Sequence, residues 1–325
     1  MKSLTILTDH VGMQFNLVQI LRRLKRIVVG KKVVSPKRKY GGHFAVTRSI
    51  IEGLHKLSVD FNYNPKSIGE VGDVVVVLSG IDALRQAIQW KRNGKIRKLL
   101  AGPTMVLHAY DFDGILSSSE IDTCLVLSDD VRINYERECP SLAGRIQIIP
   151  VGVDELYWLP TSKQVQTRNV VVYWKADLVR WMEAGLCESV EDILRKYGWN
   201  PIRVVYGKYD VSEFRAALAQ CRFEIFLCRW ESQGISLAEA WAMDVPTLCW
   251  NQHHRVFDGK FTYESSACPY LTPATGAEWK EISELDTILE NIEARLLTFR
   301  PRQWVLEHMT DAISAKRLLE LIANA

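Results

Sequence analysis

No apolar run in this chain approaches the eighteen or so residues that a membrane-spanning helix requires. The first ten residues, MKSLTILTDH, lack the apolar core of a secretory leader. Seven cysteines, an odd number with no C-x-x-C pair, argue against a disulfide framework or a zinc knuckle. Cys124, Cys221, Cys228 and Cys249 stand inside apolar runs and read as small core residues, so a reducing cytoplasm is the expected compartment. Neither G-x-G-x-x-G nor a Walker A loop occurs, which counts against NAD and P-loop chemistry. Internal repeats and low-complexity segments are missing too. One further absence is local: between His10 and Ile51 there is no Asp or Glu.

What is present is a soluble globular composition, 47% hydrophobic and 24% charged, over 325 residues, enough for two domains. The acid-free stretch carries ten positive charges, among them Arg22, Arg23, Lys25, Arg26 and Arg48, whereas the chain from Glu52 onward is net negative. Leu17, Val18, Leu21, Leu24 and Val28 keep helical spacing with Arg22, Arg23, Lys25 and Arg26 on the other side, a basic amphipathic helix. It either docks on a sheet as a surface helix or meets an anionic membrane surface or anionic acceptor. A nucleic-acid partner is the weaker option, because no aromatic residues interleave the charges. Gly41 and Gly42 then open a helix expected from Phe44 to Leu57, where paired glycines allow close backbone approach to a ligand or simply a tight turn.

Short apolar runs alternate with helical segments along the rest of the first half. Leu4–Leu7, Asp73–Leu78, Lys98–Met105 and Asp122–Leu127 are expected strands, and Ile81–Trp90 an intervening helix. This pattern predicts an α/β fold with a mostly parallel sheet, whose ligands gather at the carboxyl ends of the strands. His108, Ser128 and Asp129 fall at such ends. Asp111-Phe112-Asp113 is read as a loop and not as a D-x-D metal motif. A second α/β unit starts at Asn169–Lys175, and the polar residues Thr161–Arg168 before it read as a linker. Later expectations are a strand near Tyr270–Pro273, a helix over Glu284–Leu297 and a last helix over Trp304–Ile322. Asn251 to Arg255 holds adjacent histidines but no acidic or thiol partner nearby, a poor metal motif.

The most informative stretch is Phe223–Trp250, FEIFLCRWESQGISLAEAWAMDVPTLCW. It reads as a strand, a polar turn at Glu231–Gly234, a helix from Ser236 to Met243, and a second strand at Thr247–Trp250. A helix start presents backbone N–H groups and a positive dipole end to an anion such as phosphate. Glu231 stands before that helix and Glu239 just over one turn inside it, so two carboxylates could face one ligand at two heights.

The segment ESQGISLAEAWAMDVP resembles the E-x7-E signature of retaining GT-B glycosyltransferases of family 4, matching at Glu231, Gly234, Glu239, Ala240, Ala242 and Pro246. It departs at Gln233, usually aromatic, and at Asp244, usually glycine, although Asp tolerates the left-handed conformation of a helix C′ position. Arg145–Asp154 is similar to the segment by which these enzymes leave their first domain, with Val151 in place of the usual Asn. The resemblance covers roughly Gly41 to Trp250 and implies two Rossmann-like domains facing across a cleft: an acceptor domain over 1–160 and a donor domain over 161–303, with a helix over about 304–325 that packs back on the first.

The same resemblance implies transfer of a hexose-type sugar from a nucleotide-diphosphate sugar to a hydroxyl acceptor, with retention and without a metal or other cofactor. Glu239 would hold the ribose hydroxyls and Glu231 the sugar hydroxyls. Lys175, with the backbone N–H groups around Gln233, Gly234, Ile235 and Ser236, would hold the diphosphate. The Gly expected before Lys175 is missing, which leaves Lys208 or Arg229 as candidates for a second cation. His108 resembles a family histidine near the transferred sugar, or is a satisfied structural residue. Gly41 and Gly42 resemble a loop at the cleft. Two other readings stay open: a nucleotide-sugar epimerase of the same fold, and a non-catalytic sugar-nucleotide-binding member. The expected location is cytoplasmic, with peripheral attachment to the inner membrane face as an option.

Overall fold

Val74–Val77, four β-branched residues in a row, is the kind of run that is stable only when both faces of the strand are covered, and all four are buried. In the computed structural model, which describes residues 4–8, 42–161, 167–175, 185–257 and 261–324, this run is strand β3 of a six-stranded sheet. Its companions are β1 (Leu4–Leu7), β2 (Phe61–Tyr63), β4 (Lys98–Ala101), β5 (Thr123–Val126) and β6 (Ile146–Ile148), in the order β2-β1-β3-β4-β5-β6. Every pairing is parallel. Parallel neighbours require crossovers, and α1 (Gly42–Lys56), α2 (Ile81–Arg92) and α3 (Asp129–Glu138) supply them. Gly41, Arg22, Arg23, Lys25 and Arg26 lie outside the described residues, and so does the basic helix expected there.

A second all-parallel sheet follows, built from β7 (Asn169–Trp174), β8 (Asn200–Val205), β9 (Phe223–Leu227), β10 (Thr247–Trp250) and β13 (Gly276–Trp279), in the order β13-β10-β9-β7-β8. An antiparallel ribbon, β11 (His254–Phe257) and β12 (Phe261–Glu264), stands apart from it. Helices α4 (Leu186–Lys196), α5 (Val211–Leu218), α6 (Ile235–Ala242), α7 (Ile282–Glu290) and α8 (Ile292–Leu296) belong to this half. Each sheet has an apolar core on both faces. In the first lobe Leu84, Leu99 and Val126 belong to one core and Ile6, Val76 and Leu125 to the other. In the second, Tyr173, Phe226 and Trp241 lie on one side and Phe223, Leu248 and Trp279 on the other.

Three late expectations are corrected. Tyr270–Pro273 is not a strand; the strand of that region is β13, which starts three residues beyond Pro273. The apolar stripe over Glu284–Leu297 is two helices, α7 and α8, separated at Asn291. The final helical run is also two helices, α9 (Pro301–His308) and α10 (Asp311–Asn324). The break at Met309–Thr310 has a tertiary cause: the Val153 N–H donates to the Met309 carbonyl at 3.1 Å, and Val153 and Thr310 form an isolated parallel bridge. Helix α9 stays on the second lobe, with Trp304 edge-on to Trp241 of α6. Helix α10 crosses to the first lobe, where Ala315 and Leu318 join Val46, Ile50 and Leu54 of α1 in one core.

Candidate functional site

The carboxyl ends of β7 and β9 lie side by side, because these strands pair in parallel from Val170–Phe223 to Trp174–Leu227. The next residue after β7 is Lys175, whose N–H continues the ladder to the Leu227 carbonyl at 3.0 Å. Glu231 follows β9 by four residues, and its N–H donates to the Ser266 carbonyl at 3.0 Å. This register brings the Lys175 ammonium onto the Glu231 carboxylate, a direct ion pair with side chains 15% and 12% exposed. Burial works against the Lys175 ammonium, but Glu231 outweighs it, and the lysine pKa is raised above its ordinary value. The ammonium also lies over the Tyr206 ring, 4.7 Å from its centroid.

Gly234 caps the start of α6 in the left-handed conformation, φ 79°. A Cβ there would stand 2.7 Å from Leu237 Cδ1, so conformation and packing both call for glycine. The first N–H groups of a helix have no intrahelical acceptor; here they belong to Ile235, Ser236 and their neighbours, beside the Lys175–Glu231 pair. The Ser236 hydroxyl reaches Tyr173, whose hydroxyl in turn bonds that of Tyr209 at 2.8 Å. Helix α6 ends as the motif anticipated, with Asp244 at φ 61°.

Glu239 is partly buried on the second turn of α6. Desolvation pushes its carboxyl up to about 8, and the Arg48 guanidinium pulls the other way. Arg48 comes from α1 of the first lobe, so Glu239 faces across the interlobe gap. That arginine is held by the fully buried Asp311 carboxylate, at 2.7 and 3.0 Å. Its position inside the acid-free stretch hid this role, because the partner lies 263 residues away.

The other expected site residues are distributed differently. Gly42 is the first residue of α1. Gln233 turns its side chain inward, where its Oε1 accepts from the Val151 N–H at 2.9 Å and its Nε2 donates to the Val151 carbonyl at 2.6 Å. His108 is buried, with Nδ1 2.7 Å from Glu138 Oε1 and its ring stacked on Tyr110. Glu138 is the last residue of α3, whereas Asp130, in the first turn, accepts from the Ser266 N–H of the second lobe at 2.8 Å. His108 is therefore roughly 12 Å along that helix from the interlobe contact, at 1.5 Å per residue. This places it at the opposite end of α3 from the Asp130–Ser266 contact.

A cavity of about 750 Å³ is lined by Asp129, Asp130, Asn251, His253, Ser266 and Glu278 among others. Asn251 there is a structural tie, donating to Glu278 at 2.8 Å and to Ser266 at 3.0 Å. Among the described residues one acidic group has metal-holding spacing, Asp154, Glu155 and Asp311. Lys56 and Arg48 already neutralise it. No described helix is long and apolar enough to cross a membrane. All seven cysteines are free thiols, six of them buried.

No protein-family model matches the sequence, and no curated protein does either. Solved structures do match. The lipopolysaccharide outer core galactosyltransferase WaaB in its apo form aligns with a TM-score of 0.57 at 12% identity, over 100% of this chain and 99% of that one. Anabaena HepE in complex with UDP-glucose aligns with a TM-score of 0.57 at 11% identity, over 100% of both chains. Sucrose-phosphate synthase from Thermosynechococcus elongatus aligns at 0.52 and 12%, over 100% of this chain and 99% of that one. Likeness at this level of identity speaks to architecture, and together with the two parallel-sheet lobes it establishes that the chain has the GT-B fold.

Proposed function

We propose that this chain is a glycosyltransferase that moves a hexose-type sugar from a nucleotide-diphosphate sugar to a hydroxyl acceptor, with retention at the anomeric carbon. The observation that carries the reading is the Lys175–Glu231 pair at the mouth of the α6 start. The donor diphosphate takes the N–H groups of the helix start and the Lys175 ammonium. Glu231, freed from part of its ion pair, turns its second oxygen to the sugar hydroxyls, and Glu239 takes the ribose diol. As the bond from the anomeric carbon to the phosphate oxygen breaks, its electron pair leaves with the nucleoside diphosphate. Lys175 and the helix start stabilise that growing charge, an electrostatic contribution that is commonly the largest in catalysis. The acceptor oxygen bonds to the anomeric carbon on the same face, and its proton passes to the departing phosphate oxygen. No side-chain nucleophile or metal takes part.

HepE is solved with UDP-glucose, which makes that compound the first donor to try. The basic stretch supports an anionic acceptor or an anionic membrane surface as the partner. Charge reversal at Arg22, Arg23 and Arg26 is expected to weaken binding to vesicles of anionic lipid, and equal binding by that variant removes the membrane assignment. The deciding experiment incubates the protein with a panel of nucleotide sugars, with and without acceptors. A transferase releases free nucleotide in an acceptor-dependent way. An isomeric nucleotide sugar in the absence of acceptor identifies an epimerase, and binding without any turnover identifies a non-catalytic protein.

A further inference from the structure

The chain passes between the lobes twice, and the two passages touch. Pro150 to Val153 leads out of the first sheet, and Met309 to Asp311 leads back. Val153 donates to the Met309 carbonyl at 3.1 Å, and its own carbonyl accepts from the Asp311 N–H at 3.3 Å. Gly152 fits between because it has no side chain: a Cβ would stand 2.2 Å from the Thr310 carbonyl carbon and oxygen. The outward passage is gripped along its length from the first lobe and α10. Ser314 donates to the Pro150 carbonyl at 2.9 Å, Ser49 accepts from the Gly152 N–H at 2.8 Å, and Arg48 reaches the Gly152 carbonyl at 3.4 Å.

One side chain of the second lobe also enters this junction. Gln233, 2% exposed, satisfies both backbone groups of Val151, and its Nε2 lies 3.7 Å from Met309 Sδ of the return passage. Ile235, two residues on, packs against the first-lobe core that contains Val151. The turn between Glu231 and α6 is thus fastened to both passages where the chain crosses between the lobes. Gln233 and Val151, each a departure from the usual residue in its own segment, meet here. A primary amide suits the place: one group both donates and accepts, matching the N–H and C=O of a single buried residue.

We propose that Gln233 is a positioning residue through which the interlobe junction sets the geometry of the α6 start. The assignment of that start as the donor-diphosphate cradle rests on the functional reading above; the mechanical link does not. When the Gln233 amide is bonded to Val151, the N–H groups of Gly234, Ile235 and Ser236 are held in one arrangement. When it is lost, the turn is free of the junction and the cradle is no longer pre-formed.

The test uses the full-length protein and two variants, Gln233→Leu, which removes both bonds, and Gln233→Glu, which keeps the size and the acceptor but not the donor. Amide hydrogen exchange without any nucleotide is the first readout. Exchange is expected to quicken at least tenfold in Gln233→Leu at both 150–153 and 234–237, and by less in Gln233→Glu. Quickening at 150–153 with no change at 234–237 in the folded variants overturns the link. The second readout is turnover with UDP-glucose: the donor KM is expected to rise about tenfold in Gln233→Leu with kcat changed less than threefold. An unchanged KM alongside quickened exchange at 234–237 would show that the link exists but does not serve the donor. A wild-type protein that turns over no nucleotide sugar sinks the functional reading, and the exchange data still decide the role of Gln233.

Discussion

Two side-chain pairs of similar geometry carry opposite meanings in this molecule. His108 and Glu138 meet at 2.7 Å with side chains 4% and 6% exposed, at the end of α3 remote from the other lobe. Glu138 is used up in structural work, since its second oxygen accepts from the Ala109 N–H at 2.7 Å. Lys175 and Glu231 are also paired, but they terminate two neighbouring strands, keep some exposure and adjoin a helix start. The difference teaches that position in the topology, more than residue type, decides which polar pair can serve a ligand. A parallel sheet directs chemistry to the carboxyl ends of its strands, and a histidine drawn down the flank of a helix has left that edge.

Mutations can break this contrast, and the largest effect belongs to Lys175. Lys175→Ala is expected to lower kcat with UDP-glucose about 10²- to 10³-fold, the range for removing one group that stabilises developing charge. Steady-state kinetics on a variant with unchanged circular dichroism checks it. Glu231→Ala should cost at least tenfold in turnover while the fold survives, and a folded variant with wild-type turnover removes Glu231 from the site. His108→Ala should act in the reverse sense. Removing the imidazole takes away a buried hydrogen-bond partner of Glu138 and costs about 1–3 kcal/mol of stability by urea unfolding, yet kcat should change less than twofold. A kinetic loss in His108→Ala larger than its stability loss explains would restore a catalytic role to that residue.

The smallest effect sharpens the picture at Glu239. In the free protein its carboxyl sits at about 8 in place of the ordinary 4.5, so between those values the folded state holds a proton that the unfolded state has lost. Its contribution therefore makes stability fall as pH rises through that window, and Glu239→Gln should flatten this slope. Ligand hydroxyls that donate to Glu239 favour its ionised form, so nucleotide-sugar binding at pH 7 should release protons. Calorimetry in buffers of different ionisation heat would detect the release, and its persistence in Glu239→Gln would locate the proton elsewhere.

Much of this is legible in the sequence. The β-branched run at Val74–Val77 and the strand–turn–helix–strand pattern around Glu231 both appear where periodicity placed them. What escaped notice shares a physical cause, dependence on distant partners. Strand β13 is Gly-Ala-Glu-Trp, with no apolar run of its own, and it exists because β10 offers a free edge. The interruption between α9 and α10 contains neither proline nor glycine; Val153 imposes it. Arg48 belonged by composition to a basic patch, but in space it is the counter-ion of Asp311. For Gln233, the sequence marked the position as unusual without hinting at what its amide would grasp.

The return of α10 to the first lobe has a consequence for how the protein is made. Residues 311–324 complete a core whose α1 members were synthesised some 260 positions earlier. A fragment ending at residue 160 would expose Val46, Ile50 and Leu54 to water, so the half of the molecule that leaves the ribosome first is the half that matures last. The second half, threaded between, must therefore reach its own shape beside an unfinished neighbour.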